Sequence, residues 1–405
     1  MKTRLSAVGI AIALLLGAVP ALAQEGGPDP ATVRVRIGPL MMNPTISLTN
    51  VGVDRNVYND PPSKVPVEDF TFTVTPLSDF WLRAGRTWIS ASLNESINWY
   101  QKEASQRTAN NTYKLGWFAP SAVMVFRIGG SYINAKERPG FEIDTRAARK
   151  EVNFSGSLDF HALSKTLIGV TASRKQTRFA EDAEFLGVNL RTSLSRVDLG
   201  YGLALTHQLT PLTSLALIAT RSDATFEFSP ERNTRSLDGL LRLTFDPAAL
   251  MRGSASIGFT DFQPADPQLP GYRGFVGSVD LTYVLLGSTR FAVGGARNTQ
   301  YSYDINQPYY IQTKIGGSVA QRLFGPFDVQ VRGDIAFLEY RNRIGATVTV
   351  PDRRDRVTTV GGGIGFHMGK DLRLSFNLDQ NNRNTQVFDH AYEKFLVGAS
   401  LTYGF

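Results

Sequence analysis

The chain has 405 residues, no cysteine, 42% hydrophobic residues and a formal net charge of +7. Without cysteine it has no disulfide framework and no thiolate metal site. Acidic and basic residues are interspersed along the chain instead of gathering in basic runs, so a nucleic-acid-binding protein is not predicted.

The N-terminus has the pattern of a secretory signal peptide. Lys2 and Arg4 form a basic start, an apolar stretch covers residues 5–19, and a small-residue cleavage site ends at Ala23. We expect residues 1–23 to be removed, which leaves a net charge of 7 − 2 = +5. Since no later stretch reaches about 18 apolar residues, a membrane-spanning helix is not predicted, and any membrane span would be a β-barrel.

Strict alternation of apolar and polar residues predicts strands along the rest of the chain. It is cleanest in residues 152–160, 327–337, 372–379 and 395–405. Successive side chains of a strand point to opposite faces, so each segment has one face suited to lipid and one suited to water. A soluble β-sandwich alternates too, but the signal peptide, the long strands and the aromatic last strand favour a membrane barrel.

Turn residues set the strand count. The predicted short turns are residues 76–79, 119–121, 164–165, 209–212, 246–249, 286–288, 324–326 and 369–371. The predicted longer polar connections are residues 51–68, 102–110, 135–147, 181–187, 228–234, 263–273, 303–307, 342–356 and 386–391. Strict alternation between the two kinds predicts an all-β, single-chain antiparallel transmembrane β-barrel of about 18 strands, with 16 as the alternative.

We expect this barrel to cover residues 40–405, with residues 24–39 as a short periplasmic N-terminal segment and no internal plug domain. The last strand resembles the C-terminal signal that the barrel-assembly machinery recognises. The residues that carry this resemblance are Gly398, Leu401, Tyr403 and Phe405. The short turns would face the periplasm and the longer loops the outside.

Charged residues on the water-facing side of the strands are predicted to line the lumen. They are Asp159, Asp198, Asp238, Arg242, Asp280, Asp328, Arg332, Asp334, Arg373 and Asp379. Such residues either pair across strands as ordinary solvated side chains or form rings of charge that set ion selectivity. A second group borders the eighth outer loop as a basic patch for anionic polymer or lipopolysaccharide: Arg341, Arg343, Arg353, Arg354 and Arg356. Asp352 and Asp355 dilute that patch.

No catalytic site, metal site or cofactor is predicted. Of the four histidines, only His390 lies on an outer loop, and its neighbour Asp389 would point to the opposite face of a strand. The glycine run 361–365 is not followed by a helix, so it does not make a nucleotide loop. The chain is therefore interpreted as a non-enzyme.

The start of the predicted barrel resembles a family of outer-membrane β-barrel porins. Residues 44–48 (PTISL) match its proline-started first strand, and residues 54–58 (DRNVY) match a D-x-N-V-[YF] element. Residues 69–76 resemble the second strand with its closing proline, and residues 88–100 the long third strand. The resemblance implies a location in the outer membrane and an association with exopolysaccharide or capsule export.

Three functions remain open at this point. The first is a porin-like channel that serves polysaccharide export, the second a diffusion porin for small solutes, and the third a structural or adhesive barrel with an occluded lumen. No outer loop exceeds about twenty residues, so we expect a rather open pore or one gated by a partner. The expected partners are outer-membrane lipid and lipopolysaccharide, the barrel-assembly machinery and polysaccharide export components.

Overall fold

A computed structural model describes residues 27–28, 33–246, 249–387 and 390–404. Within them, eighteen long antiparallel strands form one closed sheet, as the sequence predicts. The strands are β1 (Leu40–Asp54), β2 (Asp69–Ala84), β3 (Thr87–Tyr100), β4 (Thr108–Pro120), β5 (Met124–Glu137), β6 (Ala147–Leu163), β7 (Thr166–Phe179), β8 (Arg196–Thr210), β9 (Thr213–Phe226), β10 (Thr234–Phe245), β11 (Met251–Pro264), β12 (Tyr272–Leu285), β13 (Thr289–Tyr301), β14 (Tyr309–Arg322), β15 (Phe327–Arg341), β16 (Arg354–Met368), β17 (Leu372–Asn384) and β18 (Tyr392–Gly404).

The barrel closes where β1 pairs with β18. Their ladder runs from Thr45 opposite Gly404 to Asp54 opposite Leu396. It is interrupted by a bulge at Asn50, whose φ is 55°, and the absence of a side chain at Gly398 leaves room for the Asn50 backbone. Because a free sheet edge in lipid would leave backbone groups without hydrogen bonds, this closure is required for a membrane barrel.

Alternate residues of each strand face lipid and lumen. Leu217, Ile257 and Val331 point outward and are 60%, 61% and 58% exposed. Ser256 and Arg332, on the opposite face of β11 and β15, point inward. Burial in a water-soluble core therefore does not explain the outward-facing apolar residues of the strands; contact with lipid does.

The predicted turn at residues 76–79 is wrong. These residues lie inside β2, and the chain turns instead at residues 85–86, where Gly85 has a φ of 63°. Pro76 cannot donate a backbone hydrogen bond, and the ladder between β2 and β3 is interrupted at that point. The ladder to β1 continues past Pro76 opposite Ile46, so the strand does not end.

The other seven predicted turns and all nine predicted loops separate strands where expected. The short turns are residues 85–86, 121–123, 164–165, 211–212, 246–250, 286–288, 323–326 and 369–371, of which 247–248 lie outside the described residues. The outer loops are L1 (55–68), L2 (101–107), L3 (138–146), L4 (180–195), L5 (227–233), L6 (265–271), L7 (302–308), L8 (342–353) and L9 (385–391, described except for 388–389). L4 contains the short helix α1 (Leu190–Leu194). No helix in the described part of the chain is long and apolar enough to cross a membrane.

Candidate functional site: the lumen and its outer cap

The ten charged residues predicted to line the lumen lie on the inward-facing side of their strands. Their neighbours along the chain point to lipid: Phe160 beside Asp159 and Leu378 beside Asp379 are each 42% exposed. The ten are Asp159, Asp198, Asp238, Arg242, Asp280, Asp328, Arg332, Asp334, Arg373 and Asp379.

Seven of these ten residues form ion pairs along the lumen wall. The pairs are Arg127–Asp159, Arg196–Asp198 at 3.2 Å, Lys314–Asp334 at 3.3 Å, Arg332–Asp379 at 2.5 Å and Arg373–Asp328 at 2.6 Å. Pairing holds these side chains against the wall and cancels their charge. Within the described chain, Asp238, Arg242 and Asp280 have no ion-pair partner.

The outer end of the lumen is crossed by L3. L3 leaves the wall between β5 and β6 and reaches β14 and β15, which lie nine strands away and therefore on the opposite wall. Phe141 of L3 packs against the buried cluster that contains Tyr310 and Leu338. The expectation of a rather open pore is therefore wrong at this end. Nine residues that fold out and back reach about 15 Å, and long side chains on the far wall complete the span.

Glu142 of L3 is bound by the residues of L7. Its Oε1 accepts a hydrogen bond from Ser302 Oγ at 2.6 Å, and its Oε2 accepts one from the Tyr303 N–H at 3.3 Å. Only 2% of the residue is exposed. Burial raises the pKa of Glu142 from 4.5 to about 7, although the Ser302 hydrogen bond and the charges of Arg353 and Arg383 act in the other direction.

An arginine of β17 joins L3 to the far wall. Arg383 donates to Asp144 of L3 at 2.5 Å, to the Glu142 carbonyl oxygen at 2.9 Å, and to Asp355 of β16 at 2.6 Å. Arg353 of L8 approaches the same Asp355 carboxylate at 2.7 Å. Because Arg353, Asp355 and Arg383 are buried, loss of one partner would leave an uncompensated buried charge.

L4, L5 and L7 complete the layer that we call the outer cap, defined as L3, L4, L5 and L7 with the far-wall residues they contact. The Phe185 ring of L4 lies 4.9 Å from the Tyr303 ring of L7. Arg232 of L5 donates to the carbonyl oxygens of Ser302 and Pro308, and burial lowers its pKa to about 10. Four loops from different parts of the chain thus meet over the lumen.

The hydrogen-bond ladder of the wall is incomplete beside L7. The ladder between β12 and β13 stops at Gly277 opposite Arg297, although both strands continue toward the outer end. Beyond that point β13 and β14 lean inward, so that Tyr301 packs against Phe226 at 5.0 Å and Tyr309 against Phe262 at 4.8 Å. The β13–β14 hairpin therefore joins the cap by ring packing instead of a continuous ladder.

The five arginines predicted as one basic patch are distributed between different surroundings. Arg353 is only 3% exposed and faces the cap. Arg343 pairs with Asp266 of L6 at 2.7 Å, and Arg354 pairs with Glu339 at 3.5 Å. Arg341 lies 5.9 Å from the ring centroid of Tyr272 and Arg356 is exposed on β16. The five arginines therefore do not form a single anion-facing patch at L8.

The histidines are likewise dispersed. His367 contacts Asp328 at 2.7 Å inside the lumen, His207 contacts the Thr166 hydroxyl, and the His390 ring lies 6.0 Å from Phe185. Asp389 and the terminal Phe405 are outside the described residues. Among the described residues, no three His, Asp or Glu side chains gather in a way that could hold a metal ion.

A sequence profile of the family described as "Putative beta-barrel porin 2" matches residues 29–405. The chain belongs to this family. No significant match was found among curated proteins. Among solved structures it is similar to a BenF-like porin from Pseudomonas fluorescens Pf-5, with 10% identity, 91% of this chain and 99% of that chain covered, and a TM-score of 0.48. It is also similar to OpdO from Pseudomonas aeruginosa, with 11% identity, 90% and 97% covered, and a TM-score of 0.45.

This β-barrel porin is a protein of the outer membrane, and its family and fold are those of channels. Sequence reasoning found the lumen wall but not the cap of this porin. Arg383 continues the inward alternation of β17 by two steps from Asp379, so its direction could have been predicted. Nothing in the sequence indicates that Glu142 would meet Ser302, because 160 residues separate them and neither lies in a periodic segment.

Proposed function

We propose that this porin is a gated outer-membrane channel that passes small solutes when L3 leaves the lumen. The proposal depends on one observation: L3 crosses from the β5–β6 wall to the β14–β17 wall and is held there by side chains, with no covalent bond. Removing L3 from this position would unblock the lumen without breaking the ladder of the barrel.

The contrast between wall and cap supports L3 as the moving part. Each wall strand is bonded to two neighbours by a ladder, which makes the wall rigid below the outer ends of β12 and β13. L3 is held by hydrogen bonds and ion pairs of Glu142, Asp144 and Arg138, the last of which donates to the Val57 carbonyl oxygen at 2.7 Å. Loops held by side-chain contacts without a ladder open at lower free energy than the strands they connect.

Polysaccharide export, which the family resemblance implies, requires a larger opening of the cap. A polymer strand would require L3, L4 and L7 to move aside together, whereas a small solute requires only L3 to move. Aromatic rings that bind sugars must be exposed to stack on them, but Tyr303 of L7 and Tyr309 and Tyr310 of β14 are 8%, 2% and 4% exposed and are occupied by cap contacts. Small solutes are therefore the favoured cargo.

The test is the single-channel conductance of refolded protein in planar bilayers, with residues 139–143 of L3 replaced by two glycines. We expect the shortened variant to show larger and steadier conductance steps than the full-length loop. An anionic oligosaccharide added to this variant tests polymer passage, because a polymer-conducting pore would show interrupted steps.

The matched control shortens L2 instead, by replacing residues 103–105 with one glycine, which keeps Gln106 as the acceptor of the hydrogen bond from Arg146 of L3 at 3.0 Å. L2 contacts its neighbours at the rim, for example through Glu103 and Tyr58, and does not cross the lumen. If both variants conduct like the wild type, L3 is not the gate. If none of the three proteins conducts after insertion, the channel function itself is refuted and a structural barrel remains.

A further inference from the structure

The lumen has a basic side near the periplasmic turns. Four arginines lie at the inward-facing periplasmic ends of neighbouring strands: Arg242 on β10, Arg252 on β11, Arg290 on β13 and Arg322 on β14. We call them the basic stripe. Considering only described residues, no carboxylate lies within ion-pair distance of any of the four, in contrast to the paired Arg127, Arg332 and Arg373 on the rest of the wall.

The register places two of these arginines side by side. Arg290 is opposite Ala320 in the ladder between β13 and β14, so Arg322 is its diagonal neighbour on the same face. Diagonal neighbours are about 7–8 Å apart, which is within reach of two arginine side chains. Asp328 lies directly opposite Arg322, but its carboxylate is already bound by Arg373 and His367.

The other two arginines are surrounded by small side chains. Arg242 lies between Ala216 and Ser256 in the ladders on its two sides, about 10 Å deeper than the rim. Arg252 lies opposite Thr282, and the nearby carboxylate, Asp280, is its diagonal neighbour. The stripe thus presents four cations near two carboxylates, Asp280 beside Arg252 and Asp246 at the rim of β10, and only small side chains lie opposite Arg242.

We propose that the basic stripe is a binding site for anionic solutes with carboxylate or phosphate groups, which approach from the periplasmic side. The proposal rests on the channel function proposed above and specifies its cargo. Guanidinium groups bind such oxyanions through paired hydrogen bonds, and neighbouring like charges without counter-ions gain most from an anion. A charged wall in a pore also concentrates the counter-ion and sets ion selectivity.

The test compares a stripe variant, R242Q/R252Q/R290Q/R322Q, with a matched control, R174Q/R178Q/R221Q/R235Q. The control removes four exposed arginines from the outward faces of β7, β9 and β10, and three of them pair with Glu227 or Asp223 at the outer rim, far from the stripe. Both variants change the net charge equally. The single variant R290Q serves if the fourfold variant does not fold.

Reversal potentials in a potassium chloride gradient should show a preference for chloride in the wild type and the control, and a loss of that preference in the stripe variant. Citrate added on the periplasmic side should block the wild type more strongly than citrate added outside. Titration calorimetry of the detergent-solubilised proteins with citrate should show about tenfold weaker binding to the stripe variant only, the loss expected when charge-assisted contacts are removed.

The calorimetry separates the two proposals. If neither the wild type nor the variant with shortened L3 conducts, but the stripe variant alone loses citrate binding, the channel function fails and the anion site stands. If the wild type conducts without chloride preference, and citrate binds all variants equally, the channel function stands and the anion site is refuted.

Discussion

Replacement of Glu142 by glutamine should remove the largest pH dependence of the outer cap and stabilise the closed cap above neutrality. In the closed cap, burial raises the pKa of Glu142 to about 7, whereas the released loop would have the ordinary value of 4.5. Closure therefore takes up a proton between these values. The stabilisation of the closed cap by protonated Glu142 is fully present below about pH 4.5, declines as the pH rises, and is lost above about pH 7.

The interval from 4.5 to about 7 sets the size of the effect. Each pH unit corresponds to 1.36 kcal/mol, so the closed cap gains up to about 3 kcal/mol on acidification, or about 300-fold in the ratio of closed to open cap. Glutamine is neutral at every pH. Its amide can donate to Ser302 Oγ while its oxygen accepts from the Tyr303 N–H, which reproduces the contacts of a protonated Glu142.

The assay is hydrogen exchange of the peptide that covers L3, expressed as a protection factor so that the intrinsic pH dependence of exchange cancels. Wild-type protection should rise as the pH falls from 8 to 5, and the Glu142→Gln variant should show high protection at both values. Conductance should follow the same trend, with fewer openings at pH 5 in the wild type. Equal changes of protection with pH in the two proteins would refute the role of Glu142.

Two further predictions test the anchor of L3 and the orientation of the barrel. Arg383→Met should cost about 3–5 kcal/mol of cap stability, because the carboxylates of Asp144 and Asp355 lose a partner, and hydrogen exchange of L3 should accelerate. The control, Arg373→Met at the periplasmic end, should leave the hydrogen exchange of L3 unchanged. Leu217→Lys should lower the free energy of unfolding by about 2–4 kcal/mol, measured with urea in lipid vesicles, because that side chain faces lipid. Thr220→Lys, on the inner face of the same strand, should lower it much less. Equal costs for the two lysine variants would mean that the faces have been assigned the wrong way round.

The barrel could be predicted from the sequence because its two faces meet different solvents. Alternation at residues 327–337 and 372–379 gives both the strand and the direction of every side chain, and lipid enforces the pattern. The error at Pro76 has a local cause: a proline is a good turn signal, but a barrel strand has two partners, and β1 kept the strand intact when the ladder to β3 was interrupted. Local turn chemistry could not reveal that second partner.

The cap could not be predicted because its contacts join residues far apart in the chain. Arg383 contacts Asp144 across 239 positions, and no period or turn signal reports such a meeting. Loop length was a misleading guide. The expectation of an open pore was based on outer loops no longer than about twenty residues, but the inward lean of β13 and β14 moves Tyr301 and Tyr309 off the wall and shortens the distance that L3 must cross.

The chemistry of the cap fits a gate better than a permanent plug. A plug held by apolar packing alone would be indifferent to pH and salt. L3 has one such contact, at Phe141, but its other bonds depend on the protonation of Glu142 and on the ion pairs of Arg383 with Asp144 and Asp355. The wall below offers no comparable freedom, because a closed ladder has no edge to release.

β13 and β14 connect the two ends of the lumen. Their outer ends carry L7, which binds Glu142, and their periplasmic ends carry Arg290 and Arg322 of the basic stripe. An anion at the stripe is therefore bound by the same hairpin that holds the cap closed.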